Sequence, residues 1–215
     1  MNGDDANTMK AVEGLDKEII TFGWSNKNDY YAADVRFLGG AKSGYTLMHH
    51  GKPICEIRLS IPGKHNILNS MACAAVCLYL GMNPEEMAEH IDKFPGAGRR
   101  FEILGEVNGV TIADDYAHHP TEIAATLKAA KEMDFHEVWA VFQPFTYSRT
   151  ALLMDDFVTA LSVADHVVMS EIMGSREKNT YNVYTKDLAE RIPGSVWFNT
   201  FKEMADYTMS HAKPG

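Results

Sequence analysis

Asp114-Asp115-Tyr116-Ala117-His118-His119-Pro120-Thr121-Glu122 puts two carboxylates, a phenol and two imidazoles into one short run. Just before it, Val110-Thr111-Ile112-Ala113 has the β-branched, apolar character of a buried strand. After it, Ile123, Leu127 and Ala130 recur at the spacing of one helical face, which predicts a helix over 121–133. Pro120 suits a first helical turn, where its missing N–H costs nothing, and Glu122 suits the positive end of the helix dipole. The run is therefore the turn at the carboxyl end of a strand, the place where ligands bind in an open α/β sheet. A lone Asp or His there would be read as a cap or a solvated side chain. Five functional groups in six residues (114–119) favour a site.

Working outward, strand-like and helix-like segments alternate from Arg99 onward. Strands are expected at 101–107, 110–114, 138–143, 166–170 and 196–198, and helices at 121–133, 150–163, 186–192 and 201–212. That alternation implies a Rossmann-like, mostly parallel, doubly wound sheet flanked by helices. Two further strand ends carry polar groups: Gln143-Pro144-Phe145-Thr146-Tyr147-Ser148-Arg149 and Ser170-Glu171 through Arg176. Arg149 and Arg176 can each clamp a carboxylate or phosphate, or sit in a surface ion pair.

The first half has a different texture. Short strands are expected at 18–22, 30–38, 45–50 and 53–59, separated by turn signals, as in a β-meander. Two helices follow, one from about Asn66 to Leu80 and one over 84–94, with Asn83 as N-cap and Pro84 at the first helical position. Asn66 and Asn69, three apart, share a face and together could read a purine edge, unless one of them merely caps the helix. Pro95-Gly96-Ala97-Gly98 reads as a hinge. The fold class is α/β in two domains, 1–97 and 98–215. Neither end looks natural: the chain opens on a polar loop and stops after a helix, where a last strand is expected.

Composition excludes several classes. A net charge of −9 without a basic stripe argues against nucleic acid, and no apolar run is long enough for a membrane or resembles a signal peptide. Three cysteines make no disulfide framework, and Cys73 and Cys77 are expected in a core, so the chain reads as cytoplasmic. Gly39-Gly40-Ala41-Lys42-Ser43 lacks the glycines of a phosphate loop and is expected to be a hairpin turn; Gly96-Ala97-Gly98-Arg99-Arg100-Phe101 fails the dinucleotide fingerprint. No metal site is assigned, because adjacent histidines on one turn seldom reach one ion.

Four segments together resemble the Mur ligases of peptidoglycan synthesis: Gly63-Lys64-His65-Asn66 with Asn69, Gly98-Arg99-Arg100-Phe101-Glu102, the 114–122 run, and Phe142-Gln143-Pro144 with Tyr147-Ser148-Arg149. Within the family they are most similar to the members that join L-alanine to UDP-N-acetylmuramate. The resemblance implies that residues 1–97 are the later part of a central ATPase domain and 98–215 most of a C-terminal domain lacking its last strand. It implies ATP and Mg²⁺ as cofactors, with UDP-N-acetylmuramate and L-alanine as substrates. Position by position, it assigns His65, Asn66 and Asn69 to adenine, Asp115 to the ribose and Arg100 to the phosphates. Tyr116, His118 and Arg149 line the amino-acid and substrate side, with Arg100, His118 and Arg149 carrying the catalytic roles. Phe145 stands where the family usually has His. The family's phosphate loop, Mg²⁺ ligands and UDP-binding domain would precede Met1, so the chain is expected to be inactive alone. The related ligase that recycles murein tripeptide, and a non-catalytic nucleotide-binding module, are the alternatives.

Overall fold

The computed structural model describes residues 1–39 and 42–215. The chain divides into two compact units, Met1–Gly96 and Ala97–Gly215. Each is described by itself.

The first unit contains α1 (Ala6–Ala11), β1 (Phe22–Gly23), β2 (Tyr30–Gly39), β3 (Lys42–His49), β4 (Lys52–Leu59), α2 (Lys64–Tyr79) and α3 (Pro84–Asp92). Strands β2, β3 and β4 form the expected antiparallel meander. The strand expected over 18–22 shrinks to β1, which pairs parallel to β2 with Phe22 opposite Tyr30. The short loop between them is closed by Asp29, whose carboxylate accepts from the Thr21 amide at 2.7 Å and hydroxyl at 2.8 Å. The hairpin turn expected over 39–43 falls on Gly40 and Ala41, outside the described residues. Tyr45, Leu47 and Ile57 are fully buried against Ile67, Met71 and Ala74 of α2 and Met87 of α3. Each such side chain withdrawn from water contributes roughly 1.5–3 kcal/mol. Cys73 is exposed, contrary to expectation. The 3.6-residue period turns it to the face of α2 opposite Ile67, Met71 and Ala74. Asn83 caps α3 as its sequence suggested, accepting from the Glu85 and Glu86 amides.

The second unit contains β5 (Glu102–Val107), β6 (Val110–Asp114), α4 (Pro120–Lys131), β7 (Trp139–Phe142), α5 (Tyr147–Leu152), α6 (Met154–Leu161), β8 (His166–Ser170), α7 (Thr185–Ala189), β9 (Val196–Phe198) and α8 (Phe201–His211). Strands β7, β8 and β9 are parallel, in that order. Phe157, Leu161, Met169 and Leu188 are fully buried in the core between this sheet and its helices, with Ile123 and Leu127 of α4 beside them. Two expectations are corrected. Strands β5 and β6 do not extend the parallel sheet; they form a separate antiparallel hairpin, with Glu102 opposite Asp114. The cause is the Asn108-Gly109 turn, where φ is +52° and +78°, the backbone that a tight hairpin requires. The single helix expected over 150–163 is two, broken at Leu153. No helix among the described residues is long and apolar enough to cross a membrane.

Candidate functional site

The 114–122 run leaves the end of β6 and enters α4, as the sequence predicted, but its side chains are bound into the loop itself. The Asp115 carboxylate accepts from the amides of Phe101 at 2.9 Å and Ala117 at 2.7 Å. Two short charge-assisted bonds therefore tie the start of β5 to the turn after β6. Asp114 receives Arg99 Nε at 2.9 Å, and the Arg99 guanidinium lies 4.8 Å from the centre of the Tyr116 ring. Arg99 and Phe101 both have positive φ, +57° and +49°. Non-glycine residues adopt that backbone only where the surroundings enforce it.

His119 is the N-cap of α4: its Nδ1 accepts from the Thr121 amide at 3.3 Å. Glu122 completes the box, accepting from the amides of His118 at 3.1 Å and His119 at 3.3 Å. Burial pushes the Glu122 carboxyl up, but those two amides, with His118 and Arg100 nearby, outweigh it and hold the group below the usual carboxylate range. Arg100 is thereby placed beside the first turn of α4.

The loop after β7 meets this turn. Thr146 N–H donates to Met173 O, and Phe145 and Met173 form a parallel bridge, so the ends of β7 and β8 are laced together beyond the sheet. Thr146 has φ +67°, a strained position for a β-branched residue, and caps α5 by accepting from the Arg149 amide at 3.4 Å. Glu177 binds the amide and hydroxyl of Ser148 at 2.9 and 2.6 Å, and the hydroxyl bond first holds its carboxyl below the usual range. Arg149 Nη1 donates to His118 O at 3.5 Å, and its guanidinium lies 5.9 Å from the centre of the Phe145 ring. The His118 ring stands edge-on to Tyr116 at 5.6 Å and to Phe145 at 6.4 Å. The structure thus gathers Tyr116, Phe145 and Arg149 around His118. Among the described residues no carboxylate lies within ion-pair distance of Arg149. Such a guanidinium can accept a substrate carboxylate or phosphate.

The other predicted set lies in the first unit. Asn66 and Asn69 sit on the first two turns of α2, and Asn69 Nδ2 donates to Asn66 Oδ1 at 3.2 Å. Neither caps the helix: Gly63 holds that position, and Asn66 Nδ2 instead donates to Pro62 O at 2.7 Å. With these bonds made, Asn69 still offers its Oδ1 and each amide one N–H, a donor–acceptor pair on one face. His65 is exposed beside them. Sequence reasoning missed Arg99, Glu177 and the capping role of His119; the signal that could have found Arg99 is the unread Asn108-Gly109 turn, which brings Arg99 back to Asp114.

The model of the Mur ligase glutamate ligase domain matches residues 99–215, and that of the Mur ligase middle domain matches residues 1–77. The chain belongs to the Mur ligase family. Like this chain, a UDP-N-acetylmuramate–L-alanine ligase of Caldanaerobacter subterraneus subsp. tengcongensis belongs to it; the two are 42% identical over 216 residues, 99% of the chain and 47% of that protein. The crystal structure of the UDP-N-acetylmuramate–alanine ligase of Thermotoga maritima superposes with a TM-score of 0.72 at 28% identity, covering 87% of this chain and 41% of that one. A Thermotoga maritima MurF ligase in complex with ADP superposes at 0.74 over 100% of this chain and 47% of its own; at 19% identity that likeness shows the fold alone. The chain spans about half the length of the curated relatives it matches.

Proposed function

We propose that this Mur ligase chain is part of an ATP-dependent enzyme that joins L-alanine to the carboxylate of UDP-N-acetylmuramate, a cytoplasmic step of peptidoglycan precursor synthesis. The observation that carries the reading is the 42% identity, running through 99% of the chain, to a relative of that name. In this reading residues 1–97 are the later part of the central, ATP-binding domain and 98–215 the C-terminal domain. ATP activates the muramyl carboxylate as an acyl phosphate; the alanine amine attacks its carbonyl carbon, and the tetrahedral adduct expels phosphate to leave the amide. Such a sequence needs positioning and charge neutralisation more than covalent help from the protein.

The residues fit these roles. His65, Asn66 and Asn69 offer the adenine a donor–acceptor edge. Asp115 uses one lone pair on each oxygen for the loop and has others for a ribose hydroxyl. In this reading Arg100, near Glu122 at the start of α4, serves the phosphates, and Tyr116, His118 and Arg149 serve the acyl and amino substrates. Arg149 forms no ion pair among the described residues, although Glu177 lies near enough to feel its charge, and its planar guanidinium suits an anionic group. Among the described residues no three His, Cys, Asp or Glu side chains gather into a cation set. This reading leaves Mg²⁺ and the phosphate cradle to parts of the ligase outside these 215 residues.

The test is ADP release from ATP, Mg²⁺, UDP-N-acetylmuramate and L-alanine, by the chain alone and mixed with the N-terminal half of the Caldanaerobacter relative. We expect silence alone, and activity on mixing that Arg149→Ala reduces by at least a hundredfold. Turnover by the chain alone would refute the assignment of the phosphate site. Turnover on mixing that needs murein tripeptide in place of L-alanine would make this the recycling ligase. Nucleotide binding without turnover in either case would leave a binding module.

A further inference from the structure

Helix α2 carries Cys73 and Cys77 four residues apart, and neither is in a disulfide. Residues at that spacing are neighbours on one helical face, with Cβ atoms roughly 5–6 Å apart. The two thiols are close enough to share a hydrogen bond. Cys77 lies half-buried at the margin of the core around Tyr45, while Cys73 is exposed. Free cysteine is among the residue types most often fully buried, so packing does not account for a thiol in water at Cys73. Asn66 and the exposed Asn69 precede the pair on the same face, and one accessible stripe therefore runs Asn66, Asn69, Cys73, Cys77.

The donor set narrows the ligand. Thiolates select soft ions, copper(I) and zinc among them. A structural zinc takes four ligands in a tetrahedron. Among the described residues no three His, Cys, Asp or Glu side chains gather, so Cys55 on β4 does not supply a third sulfur. Copper(I), with a closed shell and one positive charge, is satisfied by two sulfurs on opposite sides of the ion. The helix runs unbroken from Lys64 to Tyr79, so the spacing of the two donors is set before any ion arrives, and little ordering opposes binding.

We infer that Cys73 and Cys77 form a two-thiolate site for copper(I). Each thiol gives up its proton as its sulfur binds: one Cu⁺ enters, two H⁺ leave, and the ligated pair carries one negative charge. Neither sulfur nor copper changes oxidation state. The bound ion ties the third turn of α2 to the fourth, one turn beyond Asn69.

The test is a titration of the reduced chain with copper(I) in the absence of oxygen, in competition with the chelator bicinchoninate. X-ray absorption reads the neighbours of the ion, and light scattering reads the oligomeric state. One ion per chain with two sulfur neighbours, in a monomer, is expected. Cys73→Ser, at an exposed position that leaves the fold intact, is expected to weaken binding at least a hundredfold, and Cys77→Ser likewise. Cys55→Ala is expected to keep the affinity within twofold, with the helical circular dichroism of all three variants equal to that of the parent. Failure of the parent chain to draw copper from the chelator would overturn the proposal, as would full affinity in Cys73→Ser or an equal loss in a folded Cys55→Ala. So would oxygen or nitrogen neighbours in place of the two sulfurs, or a copper-dependent dimer, in which each of two copies gives one thiol.

Discussion

The hairpin β5–β6 and the sheet β7–β8–β9 belong to one unit and use comparably apolar strands, yet every residue of β5 is exposed while four of the five residues of β8 are buried. Strand composition therefore does not set burial; the layers on either side do. Helices α4 and α6 cover the parallel sheet through Ile123, Leu127, Phe157 and Leu161, whereas the hairpin has no comparable cover. The two halves of the candidate site inherit this difference. The Gln143–Arg149 loop hangs from a packed strand and is laced to its neighbour through backbone. The 114–122 run leaves an uncovered hairpin and is held by one backbone bond, from Tyr116 N–H to Arg99 O at 2.8 Å, and by the side chains of Asp115, Glu122 and Arg99.

The largest expected effect probes the packed side. Phe157→Ala, emptying a fully buried position, should cost about 3–5 kcal/mol in urea unfolding. Leu104→Ala, at a residue 62% exposed on the hairpin, should cost under about 0.5 kcal/mol. Similar losses would show the hairpin to be covered in solution and erase the contrast.

Next comes the tie between the two strands of the hairpin. Asp115→Ala leaves the Phe101 and Ala117 amides without their acceptor, and about 1–3 kcal/mol should be lost. Amide exchange at those two residues should rise together. If only Ala117 responds, Asp115 is a local turn residue and the link to β5 carries nothing.

These contrasts also explain what the sequence disclosed. The N-cap at Asn83 was readable because its partners lie within three residues. So were the three parallel strands, each an apolar run bounded by polar residues. The site run was readable as a strand-to-helix turn for the same local reason. Its sheet was not, because pairing depends on a partner elsewhere in the chain. For β5 and β6 the signal was local after all: Asn108-Gly109 is a hairpin turn, which the alternation of strands and helices left unread. The break at Leu153 has neither Gly nor Pro to announce it. His119 as a cap was unexpected because imidazole is outside the usual set of capping residues. Asp115 illustrates the remaining gap: sequence placed it in a site, while the structure shows that the same carboxylate also builds the loop.

A smaller, pH-dependent effect separates the capping box from the packed core. The folded carboxyl of Glu122 lies below its unfolded value, so its contribution is complete at neutral pH, above the ordinary carboxylate range of about 4.3. That contribution fades as pH falls through the unfolded value and is gone below the folded one. The stability gap between the parent and Glu122→Gln should therefore close on acidification, whereas the gap for Phe157→Ala should stay constant. A Glu122→Gln gap that does not change with pH would assign the effect to the shape of the side chain and not to its charge.

The smallest effect belongs to Arg99. Its ion pair with Asp114 is largely exposed, and such pairs contribute about 0–1 kcal/mol because water screens them and two long side chains must be held still. Its stacking over Tyr116 adds a contact of the same order at an exposed site. Arg99→Lys keeps the charge but loses the planar face, and Tyr116→Leu keeps an apolar partner but loses the ring. If stacking orders the turn, each variant should loosen exchange at Ala117 equally, and the double variant no further. Additive losses would mean that Arg99 and Tyr116 act separately, and that the uncovered side of the site depends on Asp115 and Glu122 alone.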